Sequence, residues 1–475
     1  MAASTAAATV FVGAPVGAPL PQPATTSSPA TTVAAHPARD ILTLFIPALT
    51  LVDPAGSSSH YGSIYAGGMP RADGPAPADV TDLRAAVSDA LTGRGPAFAP
   101  SPLAFSGPLP EGTALVLRTS GSTGLPREVA LSATALVASA RATHERLGGD
   151  AQWLLTLPPT HVAGLQVVLR SVVAGTELVT ADLDVPFTAS GFAAAAARMD
   201  GDRRYVSLVP TQLHRLLHPD AGPGAEAALD ALRSFDAILL GGAAASPVLL
   251  AGAHEAGARV VTTYGMTETS GGCVYDGVAL AGVRVRVVDG SSGRSLPAGA
   301  VGVVEISGPV LATGYLGDEA LTAETFRTGP DGSTWFRTSD LGSLDPDGVL
   351  TVIGRADDVI VTGGVNVAPA AVEAVLAAAL TGSDRLGEVC VVGVPDPEWG
   401  QRIVAVVEVA GDVHDAPARD GALLARARDA VTTTLGPPAA PRDVLVVAAL
   451  PRRGPGKIDR AAVTDLATRT APRTH

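Results

Sequence analysis

The chain has 475 residues, 47% of them hydrophobic, 17% charged and 4% aromatic, enough apolar content for two or more large cores and too much for wholesale disorder. A net charge of −13 disfavours general nucleic-acid binding, because neutralising phosphates needs a basic face. Two cysteines, Cys273 and Cys390, are too few for a disulfide framework or a zinc cluster, and point to a reducing, cytoplasmic setting.

Residues 1 to about 38 are rich in Ala, Thr, Pro and Ser, carry no charged side chain, and read as a disordered leader. From about residue 111 short apolar strands alternate with helical patterns. Strands are expected at 113–118, 153–157, 205–209, 237–240 and 258–263, with helices at 132–146 and 164–173 and others starting at Thr211 and Pro247. That alternation predicts an α/β domain built on a largely parallel sheet, with ligand loops at the carboxyl ends of its strands. After Gly277, β runs at 283–288, 302–306 and 349–353 separated by Gly, Asp and Pro predict an antiparallel subdomain. Beyond a boundary near Gly354 to Asp358 comes a smaller α+β unit. Its helices are expected at 369–379 and about 423–434, and its strands at 389–394 and 403–409. No segment offers about 20 uninterrupted apolar residues for a membrane span.

Thr119-Ser120-Gly121-Ser122-Thr123-Gly124-Leu125-Pro126-Arg127 directly follows an expected strand. Glycines there permit a tight turn whose N–H groups point inward, and hydroxyls add donors. Such a nest suits polyphosphate, although by itself the run also reads as a flexible Ser/Gly loop. It is not a Walker loop, since no Gly-Lys-Ser/Thr follows at the right spacing. A second feature is compositional. Among 33 Lys plus Arg there is one lysine, Lys457, which fits a position needing a compact ammonium instead of a planar fork.

Five segments in order resemble the adenylate-forming enzymes, which include acyl-CoA synthetases, luciferases and peptide-synthetase adenylation domains. They are the Thr119–Gly124 loop, Tyr264-Gly265-Met266-Thr267-Glu268, Trp335-Phe336-Arg337-Thr338-Ser339-Asp340, Gly354-Arg355-Ala356-Asp357-Asp358 with Gly363-Gly364, and Pro451 to Arg460 around Lys457. The resemblance covers residues 113 to 465. It implies a large AMP-binding domain over 39–354, a hinge at 355–358 and a small mobile domain over 359–475. The reaction it implies joins a carboxylate to the α-phosphate of ATP, then passes the acyl group to coenzyme A.

The roles implied by the resemblance follow residue by residue. Lys457 bridges carboxylate and phosphate oxygens, Thr267 donates to the α-phosphate, and Glu268 holds Mg²⁺. The nucleotide would meet Thr119, Ser120, Gly121, Ser122, Thr123 and Gly124. Tyr264 stacks on adenine or serves as a core residue, with Gly265 beside it and Gly241, Gly242 and Ala243 allowing close backbone approach. Asp340 accepts the ribose hydroxyls, and Arg355 adds a ribose or phosphate contact. Asp357 is the hinge, Gly363, Gly364, Val365 and Asn366 line a CoA channel, and His161 gates the acyl site. Two departures stand out: Arg127 and Glu128 where the family has lysine and glycine, which argues against a close phosphate contact at Glu128, and Ser339 in place of a glycine.

Within the family, the segments starting at Leu157, Ser207 and Thr262 are most similar to the o-succinylbenzoate–CoA ligases of menaquinone synthesis. Their substrate carries two carboxylates. Arg170 lies among Val167, Val168, Leu169, Val172 and Val173. It pairs either with an internal Asp or with the substrate's second carboxylate, with Gln212, Ser270 and Gly271 as further pocket residues. The alternative is a ligase for another aryl or medium-chain acid. The implied partners are small molecules, with no nucleic acid and no membrane span; a homodimer is compatible with the sequence.

Overall fold

The computed structural model describes residues 80–119, 127–217, 224–380, 386–409, 417–453 and 457–470. The leader and Ser120, Gly121, Ser122, Thr123 and Gly124 lie outside the described residues.

The expected parallel sheet is present with seven strands, in the order 178–180, 152–155, 204–208, 237–240, 260–266, 271–275, 278–279. The first five run parallel and the last two turn back antiparallel. Helices cover both faces. On one side Val80–Thr92, Ala133–Leu147 and Val162–Ala174 pack with Trp153 and Tyr205 into one core. On the other, Phe192, Leu213, Leu232 and Phe235 meet Val206, Ile238 and Leu240. Strands buried on both faces read as continuous apolar runs, which is why Ala237–Leu240 is legible at its full length.

The strand expected to end at residue 263 runs on as Val260–Met266, because Tyr264 to Met266 pair with Gly271–Tyr275. The sequence reading did not anticipate the helices Val80–Thr92, Ala189–Ala196, Ala225–Ser234 and Arg460–Thr470, nor the strands Arg127–Ser132 and Gly271–Tyr275.

The antiparallel subdomain has five strands: Arg284–Val288, Gly302–Ser307, Thr334–Leu344, Phe326–Thr328 and Leu350–Arg355. The smaller unit is a six-stranded sheet, and its strand Gly400–Val409 alternates with period two. Ile403, Ala405 and Val407 face the core beneath the helices Pro369–Ala379 and Gly421–Leu435, while Val404 and Val406 face the helix Arg460–Thr470. No helix among the described residues is long and apolar enough to cross a membrane.

Candidate functional site

Four expected site segments leave the carboxyl ends of neighbouring parallel strands: 156–161, 209–212, 241–243 and 267–271. Polar side chains stitch these ends together. Thr156 Oγ1 donates to Ser207 O at 2.8 Å, Gln212 Nε2 donates to Thr156 O at 3.0 Å, and Thr263 Oγ1 donates to Leu240 O at 3.2 Å. Gln212 Oε1 also accepts from Val209 N at 3.2 Å, so both ends of that amide hold backbone. Gly241, Gly242 and Ala243 follow directly, with Gly242 and Ala243 exposed. His161 is exposed and stands before the helix Val162–Ala174.

At Met266 the chain tightens into the 3-10 turn Thr267–Thr269, and Ser270 is left-handed at φ 51°. Thr269 Oγ1 accepts from Met266 N at 2.9 Å, which fixes the turn. Gly265 admits no side chain: a Cβ would strike the Gly271 carbonyl on the adjoining strand. Glu268 is thereby buried, and its Oε1 accepts from the Tyr315 hydroxyl at 3.0 Å. Burial pushes its carboxyl above the usual range, opposed by hydrogen bonding and by Arg127 and Arg355. The Arg127 guanidinium lies 5.7 Å from the Tyr315 ring centre. Tyr315 was not found by sequence reasoning; it lies 47 residues from Glu268 and only the fold brings them together.

Asp340 sits on Thr334–Leu344 and takes a 2.7 Å hydrogen bond from the Tyr264 hydroxyl. Burial raises the carboxyl of Asp340, against the pull of that hydrogen bond and of Arg355; burial and Asp340 both raise Tyr264. Arg355 Nη1 stands 4.0 Å from Asp340, and Nη2 pairs with Asp357 at 2.7 Å. Tyr264, Asp340, Arg355 and Asp357 thus form one continuous chain. The Gly363-Gly364 turn has φ of 57° and 79° and joins the strands Ile360–Thr362 and Val365–Val367, leaving Val365 and Asn366 exposed. Thr119 ends its strand opposite Arg127, at the base of the loop. The backbone of Lys457 pairs with Arg453 in a two-stranded hairpin.

Glu128 is buried and engaged by neighbouring backbone. Its oxygens accept from Ala104 N at 2.6 Å and Phe105 N at 2.9 Å, with Arg118 at 3.6 Å. The carboxylate straps a preceding segment to the hairpin.

Arg170 is 3% exposed and makes no ion pair among the described residues. Its Nη2 donates to the Tyr275 hydroxyl at 3.2 Å, the guanidinium lies 5.1 Å from the Trp153 ring centre, and Nε has no hydrogen-bond partner. Burial lowers its affinity for the proton. Tyr275 also meets Thr143 Oγ1 at 3.0 Å. Ser139 Oγ donates to the Ser270 carbonyl at 2.9 Å; Gln166 Nε2 donates to the same carbonyl, and its Oε1 is buried without a partner. Gln166 and Tyr275 lie within the segments that start at Leu157 and Thr262, but sequence reasoning gave neither a role, since their partners are set by the fold.

Residues 68–316 match the AMP-binding enzyme family, and residues 376–457 match the AMP-binding enzyme C-terminal domain. The chain belongs to the AMP-binding enzyme family. It is 45% identical, over 74% of its length and 83% of the relative's, to a probable 2-succinylbenzoate–CoA ligase of Mycobacterium tuberculosis. Among solved structures it resembles the o-succinylbenzoate CoA synthetase of Bacillus subtilis in complex with its acyl-adenylate intermediate. The identity is 27% and the TM-score 0.61, over 74% of this chain and 69% of that one. ATP-bound MatB from Rhodopseudomonas palustris aligns at 26% identity and TM-score 0.62, over 75% and 68% of the two chains. The mixed α/β architecture with a smaller carboxy-terminal part is that of AMP-binding enzymes.

Proposed function

We propose that this AMP-binding enzyme is a 2-succinylbenzoate–CoA ligase serving menaquinone biosynthesis. It forms the acyl-adenylate from ATP and then the thioester with coenzyme A. The likeness to the mycobacterial ligase supports the reaction. Arg170 is the observation that carries the substrate: a buried cation lacking a carboxylate among the described residues suits an acid that brings a second carboxylate with it.

In the first step a carboxylate oxygen of the acid attacks the α-phosphorus, and the bond to pyrophosphate breaks. Several anions then crowd together, so preorganised donors count most. Lys457 offers three N–H donors to the carboxylate and phosphate oxygens, and Thr267 offers a hydroxyl. The backbone and hydroxyls of Thr119 to Gly124 cradle the phosphates. Asp340 accepts from the ribose diol, and its hydrogen bond to Tyr264 fixes the ring that faces adenine. Arg355 and Arg127 add positive charge.

Glu268 suits Mg²⁺ as a single buried carboxylate. No cluster of three or more acidic, His or Cys side chains gathers among the described residues, so phosphate oxygens and water would supply the other ligands. Bound there, the ion would neutralise charge on the phosphates.

In the second step the small domain (359–475) turns about Asp357. Coenzyme A enters past Gly363, Gly364, Val365 and Asn366, and its sulfur attacks the acyl carbon as the thiol proton is lost and AMP leaves. His161 gates the acyl site, near Gln212, Ser270 and Gly271. The reading includes a cytoplasmic setting, in keeping with two buried unpaired cysteines, and a homodimer.

Coupled thioester formation tests the proposal: 2-succinylbenzoate should far outrun benzoate and octanoate. A clear preference for a monocarboxylic acid would refute the substrate. Lys457→Ala should abolish pyrophosphate exchange while ATP still binds. Undiminished exchange would refute the role of Lys457.

A further inference from the structure

The hinge carries two consecutive aspartates, and they are held from opposite directions. Asp357 pairs with Arg355 at 2.7 Å, in the chain that leads to Asp340 and Tyr264. Asp358 instead meets Arg460 Nε at 3.2 Å. Arg460 lies three residues beyond Lys457, at the start of the helix Arg460–Thr470. Nη1 and Nη2 grip Glu373 on the helix Pro369–Ala379 at 2.7 and 3.3 Å, and Nη1 also donates to the Val391 carbonyl. Glu373 Oε1 accepts from Val391 N at 2.8 Å, which closes the cluster. Just before Arg460, Asp459 N donates to Pro451 O at 2.8 Å, so the base of the Lys457 hairpin is tied to the same place.

We propose that Arg460 is a positioning residue for Lys457. By holding Asp358 and Glu373 at once, it fixes the lysine-bearing hairpin to the hinge, so that a turn about Asp357 delivers the ammonium to a set position. This rests on the roles given above to Lys457 and Asp357. Only a planar fork reaches both carboxylates and the carbonyl together; a lysine offers a single point of charge.

The test uses the full chain with Asp358→Asn, Arg460→Lys and Asp358→Glu beside Lys457→Ala. Pyrophosphate exchange reads the first step. Single-turnover thioester formation from preformed acyl-adenylate reads the second, in which Lys457 has no part. Asp358→Asn leaves the Glu373 anchor intact, so its melting temperature should hold. Misplacing a catalytic group by about 1 Å costs on the order of a hundred-fold. Exchange should therefore fall about ten- to hundred-fold in Asp358→Asn and Arg460→Lys, with thioester formation and the ATP KM within about two-fold, and Asp358→Glu should recover most of the rate. Wild-type exchange in both variants, with Lys457→Ala inactive, would overturn the positioning role and leave the role of Lys457 standing. Equal losses in both steps with a lowered melting temperature would overturn it too, reducing Arg460 to a structural anchor. Full exchange by Lys457→Ala would overturn the reading on which the proposal rests.

Discussion

Arg170→Met separates a substrate-binding arginine from a structural one. In the ligand-free protein the guanidinium gains one hydrogen bond to Tyr275, worth about 1.5–3 kcal/mol for a charged donor, and a contact with Trp153 of about 2 kcal/mol. Against these stands a desolvation cost of several kcal/mol for a buried ion. The terms nearly cancel. Methionine fills similar space, and Tyr275 keeps Thr143 as partner, so no hydroxyl is orphaned. Stability should stay within about 1 kcal/mol or rise. With substrate bound the balance changes, because removing one member of a buried charge pair costs about 2–5 kcal/mol. The KM for 2-succinylbenzoate should rise by about 30-fold to several thousand-fold, with the ATP KM within about two-fold. An analogue lacking the benzoate carboxylate should be affected little. His144 supplies an internal check: burial lowers its pKa and Arg170 lowers it further, so NMR titration should show a rise in the variant. Equal KM increases for acid and ATP, or equal losses for the analogue, would refute the assignment.

Glu128→Gly, which restores the family's residue, should release the strap. Amide exchange at Ala104 and Phe105 should quicken by about ten-fold or more, since two hydrogen bonds to a carboxylate are lost; unchanged protection would refute that role. Asp340→Asn should flatten the acid side of the stability curve. Burial raises this carboxyl in the folded state, so the folded chain binds more protons than the unfolded one above the ordinary value of 3.8. Its contribution is fully present below that pH and is lost as pH rises through the folded pKa. Asparagine, unable to ionise, should remove that loss while still accepting from Tyr264. Melting temperatures from pH 3.5 to 7 that track the wild type would count against it.

The layered core was legible where local pattern decides it. Ala237–Leu240 and Pro369–Ala379 match the expected residues because an unbroken apolar strand and a Pro-started helix need no distant partner. Ala189–Ala196 was not legible, since its run of alanines offers no polar face to set a helical period. Arg127 and Glu128 read as the end of the loop motif and the residues just after them carry no assignment; pairing with Thr113–Thr119 makes Arg127–Ser132 a strand. The site divides the same way. Its motifs are contiguous and could be read, whereas Glu128 depends on residues 23 and 24 positions away, and Arg460 on Glu373, 87 positions away. Such partners are chosen by the fold and leave no local mark in one sequence.

One regularity joins the parts. The chain has 6 tyrosines, and three of them place a hydroxyl on a buried or half-buried charged group: Tyr315 on Glu268, Tyr264 on Asp340 and Tyr275 on Arg170. A buried charge needs hydrogen bonds, but an oppositely charged partner would also cancel its field. A hydroxyl satisfies the geometry and leaves the charge in place. On the function proposed above, Glu268 would keep its negative charge for a cation and Arg170 its positive charge for an anion, while Asp340, proposed to meet a diol, also has Arg355 at 4.0 Å. The contrast lies at Glu305 and Arg460, where charges meet opposite charges and serve the architecture. If the proposed function holds, the tyrosine-held groups are those whose charge is reserved for a ligand, and the cost of burying them is recovered when that ligand binds.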